Sequence, residues 1–122
     1  MNGFFFDLET TGVDPFSDRI VEIGATTVTD GRTGVPHDGE FIGGGAWVTL
    51  VNPGVEIPAG ASRVHGITDD RVTGSPVFAD IAPRMVERIE RADYICAFNG
   101  LWFDVPMLCV ELDRVPAHAN SA

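Results

Sequence analysis

The sequence predicts an α/β fold built on a sheet of mixed strand direction. Three observations carry that reading. Three strand-like segments lie in a row, joined by hairpin-type connections; one segment with clear helical periodicity follows; and a further strand and helix close the order. A chain of 122 residues, 44% hydrophobic and 21% charged, suits one domain with a modest core. It is too apolar for disorder, and no run approaches the ~18 apolar residues of a membrane-spanning helix.

Phe4-Phe5-Phe6, then Asp7-Leu8-Glu9 and the breaker Thr10-Thr11-Gly12, read as a short buried strand ending in a turn. Arg19 to Thr29 is the second strand, because Ile20, Val21, Ile23 and Val28 combine with Thr26 and Thr27. Between Asp30 and Gly45, six glycines and one proline imply a long hairpin connection, with short pairing around Glu40-Phe41-Ile42. Ala46 to Val51 forms the third strand, closed by Asn52-Pro53-Gly54. Residues 55–75 read as a loop. Phe78, Ile81, Ala82, Met85, Val86 and Ile89 then follow the i, i+3, i+4, i+7, i+8, i+11 spacing of one helical face. Pro83 fits there if Asp80 caps the helix, which puts the proline in the first turn, where its missing N–H does no harm. Asp93 to Phe98 reads as a buried strand ended by Asn99-Gly100. Phe103 to Leu112 reads as a helix with Phe103, Met107 and Val110 facing inward and Cys109 a further inward candidate. Residues 114–122 look like a frayed tail behind a domain of residues 1–113.

The net charge is −10, and all eight basic residues are arginine. Any contact to phosphate therefore comes from scattered guanidinium groups, which argues against a tight nonspecific nucleic-acid binder. An enzyme that meets phosphates through bound cations stays open, because such ions reverse the charge logic of an acidic site. Cys96 and Cys109 lie in apolar runs without metal-type spacing and read as reduced core thiols. The start, Met1-Asn2-Gly3-Phe4, lacks the basic flank and apolar run of a signal peptide, so a cytoplasmic protein with no membrane attachment is expected.

Asp7 and Glu9 project to one side of their strand, with Leu8 on the other. Side by side they repel; with Mg²⁺ or Mn²⁺ they become hard oxygen ligands of the type those ions require. Taken alone, a bare Asp-x-Glu is short and common, and the pair reads as two satisfied acids at a strand end that reaches solvent.

Four stretches occur together: Phe6-Asp7-Leu8-Glu9-Thr10-Thr11-Gly12, Ile20-Val21-Glu22-Ile23-Gly24-Ala25, Val64-His65-Gly66-Ile67-Thr68, and Ala97-Phe98-Asn99 with Phe103-Asp104. In order and spacing the chain resembles, across residues 3–113, the DEDD family of 3′–5′ exonucleases, which includes the proofreading subunit of bacterial DNA polymerase III, RNase T and oligoribonuclease. The resemblance implies a ribonuclease H-like mixed sheet, with three antiparallel strands followed by helix, strand and helix. It implies a metal-dependent enzyme that hydrolyses phosphodiester bonds at the single-stranded 3′ end of DNA or short RNA, with a polymerase as a possible partner. Asp7, Glu9 and Asp104 would be the catalytic metal ligands, holding Mg²⁺ or Mn²⁺ in a two-metal site or, here, a single-metal one. Thr10, through its backbone N–H, and His65 would border the 3′-terminal nucleotide, and Asn99 and Phe103 would brace the second motif. On their own, Asp104 reads as a first-turn acid favoured by the helix dipole and His65 as an exposed loop histidine. Trp47 and Trp102 read as base-stacking or as packing residues.

The pattern breaks in two places. Phe98 stands where the family usually has a histidine before its asparagine. No third motif follows Asp104: His118, the only later histidine, has no aspartate behind it and receives no general-base role. The resemblance thus implies a domain cut short at its carboxy terminus. It leaves two readings, an exonuclease domain incomplete as given and a catalytically inactive relative that binds nucleotides or nucleic acid.

Overall fold

The computed structural model describes residues 1–29, 32–33, 35–37, 40–42, 47–97 and 103–116. The first strand, β1, runs Asn2–Thr10, and its alternation is that of a strand covered on one face. Phe4, Phe6, Leu8 and Thr10 point into the core, while Phe5, Asp7 and Glu9 take the opposite face. The second strand, β2, spans Ile20–Thr29 and pairs antiparallel with β1, Asp7 opposite Gly24 and Glu9 opposite Glu22. A register shift between Glu9 and Thr10 bends the ladder at the carboxylate end of β1.

β3 (Arg32–Thr33) pairs with the far end of β2, and β4 (Val35–His37) with β5 (Glu40–Ile42) forms a separate antiparallel hairpin, as the pairing expected around Glu40 requires. β6 (Trp47–Leu50) joins β2 antiparallel along Glu22–Ala25. β7 (Tyr94–Ala97) returns parallel to β1, so the five-stranded sheet is mixed.

Residues 55–75, expected as loop, contain two short helices, α1 (Ala59–His65) and α2 (Asp69–Val72). Both are too short for periodicity to mark, and α1 buries none of its residues fully. They close over a small satellite core of Val21, Ile57, Ile67 and Val72. Gly66 ends α1 at φ 77°, a left-handed conformation that glycine adopts without a Cβ penalty.

The periodic segment is α3 (Phe78–Arg91), with Phe78, Ile81, Ala82 and Met85 buried. It begins earlier than a cap at Asp80 would allow: Val77 holds the cap position, Asp80 lies in the first turn, and Pro83 falls inside the helix. The last helix, α4, is Asp104–Arg114. Both helices meet Phe4, Phe6, Leu8 and Ile23 of the sheet in one core, in which Met85 and Met107 are fully buried. Burial of side chains of this size is worth about 1.5–3 kcal/mol each.

Three expectations change here. β7 is exposed, not buried: it is paired on one side only among the described residues, and Tyr94 and Ile95 are 44% and 42% exposed. Cys96 and Cys109 are free thiols, as expected, but both are exposed instead of in the core. The inward face of α4 is Asp104, Met107, Leu108 and Glu111, with Val110 only half-buried. Arg114 completes that helix, and Val115 packs into the core behind it. Residues 117–122 lie outside the described residues.

Candidate active site

Alternation along β1 sends Asp7 and Glu9 to the face opposite the core, and both are half-buried. The ladder adds Glu22 directly across from Glu9. Like charges opposite one another oppose pairing. Asp104, fully buried as the first residue of α4, is close enough for its charge to act on Glu9. The carboxyl of Glu9 is accordingly raised above its ordinary value of 4.5, first by burial, then by Asp7, with His65 opposing and Glu22 and Asp104 adding to the rise. The charges of Asp7 and Asp104 thus both bear on Glu9. Sequence reasoning passed over Glu22, although its place in the second stretch, on an alternating strand, marked it as facing the same side.

Among the described residues, no three His, Cys, Asp or Glu side chains stand close enough to form a ready ligand set. The donor chemistry still suits a hard divalent cation: the oxygens are carboxylate oxygens, and the repulsion that adds to the effect of burial on Glu9 is what such an ion relieves.

His65 ends α1 beside the end of β1. Its Nδ1 accepts the Ile67 N–H at 3.0 Å, which leaves the proton on Nε2, 3.0 Å from the Thr10 carbonyl. The ring is therefore held in one tautomer by two backbone groups, and it is not a free loop histidine. The Thr10 hydroxyl donates to the Gly12 carbonyl at 2.6 Å. Gly12 itself has no room for a side chain: a Cβ there would come within 2.4 Å of the Asp18 carboxylate.

These residues enclose a cleft of about 400 Å³ whose lining includes Glu9, Thr10, Thr11, Gly12, His65 and Phe103. Val13 and Val64 stand on its rim, each more than 80% exposed. Phe103, at the cap position of α4, is half-buried against the core and also faces this cleft. A shallower depression of about 250 Å³ is lined by Phe5, Asp7, Gly24 and Cys96 among others. Asp7 thus borders this depression and Glu9 the cleft. Trp47 packs against the core with the Arg84 guanidinium 5.0 Å above its ring, so that ring face is already covered. Asn99, Phe98, Trp102 and His118 lie outside the described residues.

The family model for RNase T-type proteins, described as an exonuclease, matches residues 4–120. A DNA polymerase III subunit epsilon-like protein of Rhodobacter capsulatus is 40% identical over 104 residues, covering 84% of this chain and 13% of that protein. The DNA polymerase III subunit epsilon of Treponema pallidum is 36% identical over 107 residues, covering 88% of this chain and 44% of that one. The chain thus spans less than half the length of either relative. Among solved structures, Escherichia coli exonuclease I in complex with a dT13 oligonucleotide superposes with a TM-score of 0.69 at 23% identity, over 87% of this chain and 22% of that one. That likeness bears out the ribonuclease H-like sheet.

Proposed function

The chain belongs to the RNase T exonuclease family, and from that premise we propose that it is the catalytic domain of a cytoplasmic, metal-dependent 3′–5′ exonuclease. The observation that carries the reading is Glu9, on which the charges of Asp7 and Asp104 bear, lining a cleft that also presents Thr10 and His65. Asp7, Glu9 and Asp104 are the residues that would hold Mg²⁺ or Mn²⁺. Such ions supply a water of lowered pKa for attack on phosphorus and charge stabilisation for the departing oxygen.

The chain's own contribution is positioning. His65 ties α1 to the end of β1 through Thr10, which keeps the cleft at a fixed offset from the carboxylates. The cleft takes the 3′-terminal nucleotide of a single strand, and the exposed Val13 and Val64 offer its base apolar contact. A net charge of −10 disfavours broad contact with duplex phosphates, so binding is confined to the end that the metal site engages. The epsilon relatives are named as subunits of DNA polymerase III, which supports a polymerase as partner.

One observation favours a second reading, a binding module without turnover: the described carboxylates do not stand as a ready triad. A single assay separates the two. Oligonucleotides labelled at the 3′ or the 5′ end are incubated with the protein and Mg²⁺ or Mn²⁺, with Asp7→Ala as control. Stepwise shortening from the 3′ end by the parent alone is expected. Equal release by both proteins eliminates catalysis at this site, and saturable binding without release supports the module.

A further inference from the structure

Glu111 and Arg114 lie one helical turn apart near the C-terminal end of α4, the helix that begins with Asp104. Glu111 is an acid 4% exposed, and both of its oxygens are engaged. One accepts the Ile20 N–H at 3.1 Å, and the other accepts Arg114 Nη1 at 2.9 Å. Held in this way, the guanidinium donates to three carbonyls of a single turn. Nη1 reaches Asp18 O at 3.0 Å, and Nη2 reaches Pro15 O at 3.2 Å and Phe16 O at 2.8 Å. Only arginine offers a planar fork with enough donors for this set.

The turn so gripped, residues 11–19, is itself closely bonded. Thr11 N donates to Arg19 O at 2.8 Å, Thr11 Oγ1 to Asp18 Oδ1 at 3.0 Å, and Asp14 N to Asp18 Oδ2 at 2.9 Å. Its first residues, Thr11, Gly12 and Val13, form one wall of the 400 Å³ cleft.

We infer that Arg114 is a positioning residue for the 3′ end of the substrate: it fastens the 11–19 turn to α4, so that the cleft wall keeps a set distance from Asp104 on the same helix. This rests on the exonuclease reading of the cleft. A basic residue in a last helical turn also has a plainer use, neutralising the helix dipole, which lysine serves as well as arginine. That use does not need three carbonyls of another segment.

The test compares the parent with Arg114→Gln and Arg114→Lys by amide hydrogen exchange and by titration with a fluorescein-labelled thymidine oligonucleotide and, separately, with Mn²⁺. Both variants should speed exchange in residues 11–19 about tenfold and weaken oligonucleotide binding about tenfold, the scale of one charge-assisted hydrogen bond. Protection of β1 and β2 and the affinity for Mn²⁺ should stay within about twofold of the parent. Lysine keeps the charge beside Glu111 but cannot span the carbonyls, so it should not rescue. Parental exchange in the turn, or parental oligonucleotide affinity in Arg114→Lys, overturns the positioning role. A parent that binds no oligonucleotide overturns the exonuclease reading instead, and the exchange result then decides alone whether Arg114 holds the turn.

Discussion

Glu9 and Glu22 face each other across the β1–β2 ladder, two carboxylates at one register position on the side of the sheet that carries Asp7. Burial and these neighbours raise the Glu9 pKa above 4.5, so between 4.5 and that raised value the folded protein binds a proton there more readily than the unfolded chain. The stability this proton confers is complete below about pH 4.5 and is lost as the pH rises through the elevated folded value. Glu9→Gln should therefore melt above the parent at neutral pH in EDTA, and the gap should close as the pH falls below 4.5. A gap that widens toward acid in thermal melts would contradict the raised pKa.

His65→Ala removes the partner of both the Thr10 carbonyl and the Ile67 N–H. A loss of about 1–3 kcal/mol is expected, the cost of leaving part-buried backbone groups unmade. Denaturant titration measures it. A change within about 0.5 kcal/mol, the range of ordinary surface substitutions, would return His65 to the status of a loose surface side chain.

Mn²⁺ should raise the melting temperature by mass action, with about 2.7 kcal/mol of stabilisation at a hundredfold excess over Kd. Asp104→Asn should abolish most of that shift, because it removes one charge from the set that includes Asp7 and Glu9. Melts with EDTA and with Mn²⁺ decide the point, and an identical shift in both proteins excludes Asp104 as a ligand.

Pro83 interrupts α3 on its exposed side, where it has no N–H to serve as the i→i−4 donor to the Ala79 carbonyl. Pro83→Ala should stabilise the protein by roughly 1–3 kcal/mol and leave Mn²⁺ binding unchanged. Equilibrium unfolding checks this, and a destabilised variant would mean that the ring packs in a way alanine cannot replace.

The legible parts of this molecule were those governed by a single period. Alternation put Asp7 and Glu9 on one face of β1, and the 3.6-residue spacing found α3 with its buried Phe78, Ile81 and Met85. The missed parts depend on what lies beside a segment. Tyr94-Ile95-Cys96-Ala97 has the composition of a buried strand, yet its position at the side of the sheet exposes it. The inward face of α4 escaped because two of its four members, Asp104 and Glu111, are acids. In the sequence Glu111 and Arg114 are only an acid and a base at i, i+3 spacing, and nothing local announces the Pro15–Asp18 carbonyls that the arginine reaches.

The open side of β7 also governs how the protein behaves in bulk. That side has no partner among the described residues, and its backbone groups, with Tyr94 and Ile95 beside them, are a template on which another extended chain can lie. What keeps copies apart is long-range repulsion from the net charge of −10. In about 0.1 M salt that repulsion reaches only ~10 Å, so the two tendencies trade places as electrolyte is added. The colloidal stability of the domain should therefore depend on ionic strength: dilute buffer should keep it monodisperse and brine should drive it toward edge-to-edge association, with static light scattering across a salt series locating the crossover.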